Sequence, residues 1–108
     1  MFALIGIMLD TKYSLIKTDR ECILLEMQAV HKVIALYKKK RHEFTSDDQS
    51  VADMYHAIEH FDAAIENNTQ RFEDLKRSLR DCIGSMKEIE ADMAMRADLD
   101  AIERGLAI

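Results

Sequence analysis

Proline is absent from this chain, and only three glycines, Gly6, Gly84 and Gly105, are scattered over its 108 residues. Proline breaks a helix and glycine weakens one by about 1 kcal/mol relative to alanine, so their scarcity leaves long helices free to propagate. Tryptophan is also absent and aromatics amount to 6%. That composition argues against a β-sandwich or barrel, which draws on aromatic and β-branched strands joined by glycine- and proline-rich turns. Three isolated glycines also rule out a glycine-rich phosphate loop. The predicted class is all-α.

What the chain does have is a pair of heptad ladders, one on each side of a short polar break at Thr45–Ser50. Upstream, Leu9, Tyr13, Ile16, Arg20, Ile23, Met27, Val30, Ile34, Tyr37, Arg41 and Phe44 alternate spacings of four and three. Downstream, Val51, Met54, Ile58, Phe61, Ile65, Asn68, Phe72, Leu75, Leu79, Cys82, Met86, Ile89 and Met93 do the same. A repeat held this long keeps one narrow stripe of each helix against a partner helix, which is the coiled-coil condition. The fold expected is a long antiparallel helical hairpin, coiled-coil-like, in a single domain spanning 1–108.

Within it, helix one should cover about 3–43, a turn 45–50, and helix two about 48–83. Ser46-Asp47-Asp48-Gln49 has the capping-box spacing that opens a helix. Ser85-Met86-Lys87-Glu88 repeats that spacing after Gly84, so a C-terminal helix of about 86–104 should follow, ending before Gly105. A one-residue joint is too short for a reversal, so Gly84 marks a kink or a straight continuation.

With the turn centred near residue 47, facing positions sum to about 95. Cys82 then lies opposite Tyr13 while Cys22 lies off the seam, so the two cannot form a disulfide. Both are expected reduced and buried, in keeping with a cytoplasmic protein. The same register sets Arg20 against Leu75, Arg41 against Met54 and Asn68 against Met27. The arginines are expected to snorkel from the seam edge. Asn68 reads equally as a register-fixing polar residue or as a local helix irregularity.

The charge balance, 20 acidic against 15 basic residues, gives a net charge of −5 and discourages binding to nucleic acid or anionic lipid. The run Lys38-Lys39-Lys40-Arg41-His42 points all around its helix as a collar, without the interleaved aromatics that would stack bases. The apolar stretch Phe2–Leu9 has neither the flanks of a signal peptide nor the length of a membrane span. It is expected to start a helix or to dock a partner.

One chemical pattern stands out. His56-Ala57-Ile58-Glu59-His60 has the H-x-x-E-H spacing of inverted zinc peptidases, in which two histidines one turn apart hold zinc and the glutamate activates water. Ile58 and Phe61 are seam residues, however, so His56, Glu59 and His60 fall on the opposite arc. No third ligand and no cleft-forming sheet accompany them. No catalytic residues, metal ligands or cofactor-binding residues are therefore assigned. A metal-binding helical protein using His56 and His60 is kept as the weakest alternative.

Helix one carries a second apolar stripe, formed by Leu15, Cys22, Leu25, Ala29, Val33 and Leu36, that a single hairpin partner cannot cover. Either the C-terminal segment folding back in a three-helix bundle or another polypeptide would fill it, and the tight joint at Gly84 favours the second. After Met93 the heptad shifts, with Arg96 taking the next seam position and Leu99, Ile102 and Leu106 moving to another face. These nine apolar residues are the candidate interaction surface. The function expected is a non-enzymatic protein–protein interaction module. It would be a helical-hairpin adaptor or chaperone that completes its bundle with itself, as a homo-oligomer and most simply a dimer, or with another helical protein. A structural subunit of a helical assembly or filament is the alternative. No cofactor, nucleic acid or membrane is expected as a partner.

Overall fold

The structure, a computed structural model, describes residues 2–46 and 51–105, with side-chain surroundings for 6–44 and 53–105. It consists of two long helices packed as an antiparallel hairpin, α1 (Phe2–Ser46) and α2 (Val51–Glu103), with no strand among the described residues. Gly84 and Ser85 lie inside α2, which continues through them as one helix. Helix α1 continues through Thr45 to Ser46. Residues 47–50 of the expected turn lie outside the described residues.

α2 ends where a glycine permits it. Gly105 takes a left-handed φ of 73°, and its N–H donates to Ile102 O at 3.0 Å, as in the C-terminal caps that glycine favours.

The heptad predicts which side chains are shielded. All eleven seam positions of α1 are partly shielded, and among its other described residues only Gly6 and Leu24 join them. On α2 the described seam residues from Met54 to Met93 are likewise shielded, together with Ala57, Ala64, Ser85, Arg96 and Ala101. Alanine and serine at the edge of a seam let a neighbouring helix come close without leaving a void. Arg96 holds the seam position that the shifted repeat gave it.

The chain divides into two compact units, Met1–Cys22 with Leu79–Ile108, and Ile23–Ser78. Each holds one of the two buried hydrophobic residues among those described, Ile89 in the first and Leu75 in the second, at 4% and 5% exposure. Burying such a side chain contributes about 1.5–3 kcal/mol, so these are the anchors of their units.

In the Ile23–Ser78 unit the seam is rich in rings. Phe61 lies 6.0 Å from Phe44, edge-on, and 6.3 Å from Tyr37, while Phe72 lies 6.3 Å from His31. Offset and edge-on pairs at these separations suit the ring quadrupoles. The Lys76 ammonium covers Phe72 from 6.0 Å. Two charge-assisted clips flank the rings. Arg41 Nε donates to Asp62 Oδ1 at 2.7 Å, and Arg71 donates to Glu26 Oε1 from Nε at 3.1 Å and also from Nη2.

In the unit formed by Met1–Cys22 and Leu79–Ile108, the link across the helices is a hydrogen bond from the Tyr13 hydroxyl to Glu90 Oε1 at 2.8 Å. The bond to a carboxylate raises the Tyr13 pKa above its ordinary value, partial desolvation and the Glu90 charge add to the rise, and Arg20 opposes it.

These contacts correct the register. Tyr13 meets Glu90 and not Cys82, and Arg41 meets Asp62 and not Met54. The residue numbers of contacting pairs sum to about 97–105, where about 95 was expected. A heptad fixes the angular phase of a helix but not its axial offset, and α1 reaches Ser46, moving the break toward the C-terminus. The corrected register also explains the Glu26–Arg71 clip. Both residues occupy the position just before a seam residue, where antiparallel partners meet across the seam.

Asn68 has a local role. Its Nδ2 donates to Ala64 O at 2.7 Å, so its amide is satisfied within α2. Arg41 snorkels as expected, with its stem in the seam and its guanidinium on Asp62 at the edge.

Candidate functional site

The expected second stripe of α1 exists as an exposed face. In the Met1–Cys22 portion Leu15 is 62% exposed and Cys22 is exposed. In the Ile23–Ser78 unit Leu25 is 66% exposed, Ala29 and Leu36 are exposed, and Val33 is the most sheltered at 37%. The geometry behind this is the seven-residue spacing of Met8, Leu15, Cys22, Ala29 and Leu36. At 100° per residue, these positions form a stripe about 130° around the axis from the centre of the seam that packs on α2. α1 therefore has two separate apolar ladders, and α2 covers one of them.

Cys22 corrects an expectation. It is exposed, because it belongs to the uncovered ladder, while Cys82 sits half-buried on the seam of α2. Both thiols are free.

Met8, exposed like Leu15, extends the stripe by one heptad. The seven-residue spacing of the stripe includes it, although it lies within the apolar stretch Phe2–Leu9. On α2, Leu99 and Ile102 are exposed, and Met95 precedes them on the same face. Leu106 lies outside the described residues.

The outer face of α2 is different. His56 and His60 are both exposed, and the His60 ring lies 5.6 Å from Phe61. Glu59 is exposed as well. Among the described residues no group of three or more histidine, cysteine, aspartate or glutamate side chains is placed to hold a metal ion. No described helix is long and apolar enough to cross a membrane.

No protein family, no curated protein and no solved structure matches this chain.

Proposed function

We propose that the protein is a non-enzymatic interaction module, an adaptor or chaperone whose hairpin completes a coiled-coil bundle when another helix docks on α1. The observation that carries this reading is the exposed ladder of Leu15, Leu25 and Leu36 on the side of α1 turned away from its packed seam. Scattered exposed apolar residues are ordinary, but a row repeating at helical spacing along one face presents the contiguous apolar surface that helix-in-groove recognition uses. The occupant is a second copy of the chain or another helical protein, and the module works by holding it.

Light scattering after size exclusion tests the reading when coupled to one substitution. Leu36→Glu places a charge on the stripe while leaving the α1–α2 seam untouched. The variant is expected to keep its helicity and to lose association, with itself or with a helical partner captured from the native source. Association unchanged by Leu36→Glu and by Leu25→Glu would remove the stripe from the interface.

A further inference from the structure

The exposed apolar strips on α1 and α2 carry opposite charges. On α1, in the Ile23–Ser78 unit, Leu25, Ala29 and Leu36 share one face, bordered by Lys32 and Lys39 on one side and Lys40 on the other. On α2, in the other unit, Met95, Leu99 and Ile102 are spaced four and three apart on one face, bordered by Asp98 on one side and by Asp92 and Glu103 on the other. All six charged side chains are exposed. Lys39 approaches Glu43 of its own helix only at 4.0 Å, the outer limit of an ion pair.

We infer that the occupant of the α1 strip between Leu25 and Lys40 is the α2 strip between Asp92 and Glu103 of a second copy of this chain. The inference rests on the interaction-module reading and deepens it by naming the partner surface. Exposed apolar residues on both strips supply the packing, and the lysine and carboxylate borders supply the register. α2 runs as one helix from Val51 to Glu103, without a break at Gly84 and Ser85. The interface is heterologous, since one strip meets a different one. Like-charged borders disfavour pairing either strip with itself, so the arrangement selects its own orientation.

A charge-swap experiment read by light scattering tests this. The basic border is reversed by Lys32→Glu, Lys39→Glu and Lys40→Glu, and the acidic border by Asp92→Lys, Asp98→Lys and Glu103→Lys. The wild type is expected to associate into a dimer or larger species, more weakly at 1 M salt than at 0.15 M. Each triple variant alone should lose at least about tenfold in association constant, because like charges then face each other. Mixing the two triple variants should restore association, and so should combining all six changes in one chain. Misfolded variants could give neither rescue.

If the acidic-border variant associates like the wild type while Leu36→Glu does not, the α2 strip is not the occupant and the α1 stripe remains an interface. A mixture that stays monomeric overturns the pairing. A wild type that is monomeric at high concentration overturns the second copy as occupant and leaves the stripe to another helical protein.

Discussion

Seen from outside, α1 and α2 differ in ways their shared seam does not suggest. The side of α1 turned away from α2 exposes Met8, Leu15, Leu25 and Leu36. The corresponding side of α2 carries the exposed polar residues His56, His60, Asn67, Gln70, Asp74 and Arg77, and among the described residues its exposed large hydrophobics are Tyr55 and Ile83 nearer the seam and Met95, Leu99 and Ile102 toward its end. Both helices satisfy the same heptad inward. A solvated outer face is all that a two-helix hairpin requires of its members, and the middle of α2 has one. α1 departs from that minimum over most of its length. An apolar face kept in water exposes the chain to non-specific association, and its greater extent on α1 is what the proposed docking role would account for.

Substitutions in the seam should have the largest effects. Leu75→Ala or Ile89→Ala is expected to cost about 2–4 kcal/mol of folding stability, the usual penalty for truncating a buried aliphatic side chain. Leu25→Ala, on the outer face, should stay within about 0.5 kcal/mol under conditions where the chain is dissociated. Urea unfolding of the three variants measures the difference. A loss at Leu25 equal to that at Leu75 would mean that α1 has a covered second face within the single chain.

Next in size are effects on association. Leu25→Glu with Leu36→Glu should weaken association by at least about tenfold, because a buried unpaired charge in an interface is costly. His56→Ala with His60→Ala on the outer face of α2 should leave both association and stability nearly unchanged. Sedimentation equilibrium of the two double variants would sharpen the contrast. Loss of assembly in the histidine variant, with stoichiometric zinc on the wild type, would move the docking element to α2.

Smaller effects belong to the clips at the seam edge. Arg71→Ala removes an exposed ion pair with Glu26 and should cost about 0.2–1 kcal/mol, less at high salt. The Tyr13–Glu90 hydrogen bond can be followed by pH. The neutral phenol donates this bond, so its contribution is complete below the unfolded value of about 10 and is lost as pH rises through the higher folded pKa. Absorbance titration should show Tyr13 ionising above the ordinary range, and Glu90→Ala should bring it down.

The angular half of this architecture was legible in the sequence. Alternating steps of four and three named the shielded residues from Leu9 to Met93, and the same periodicity named Leu15, Leu25 and Leu36 as a face that α2 would leave bare. The axial half was not legible. Side-chain spacing gives rotation about a helix axis, while the offset between two helices depends on where the first one stops and on the fit of rings such as Phe44, Phe61 and Tyr37. For that reason spacing alone does not give Glu90 as the partner of Tyr13, Asp62 as that of Arg41, or the Glu26–Arg71 clip. Cys22 shows the same division, because spacing places it on the second stripe of α1 while its residue type, which favours burial, does not decide its exposure.

The two cysteines offer the most direct measurement of the central claim, since Cys22 lies on the bare ladder of α1 and Cys82 on the packed seam of α2. The rates at which an alkylating reagent labels them can be followed by mass spectrometry as the protein concentration is raised. Docking on α1 predicts that Cys22 labels readily in dilute protein and slows as chains associate, while Cys82 stays slow throughout. A Cys22 rate independent of concentration, in a sample that light scattering shows to be associated, would place the interface elsewhere and contradict the account.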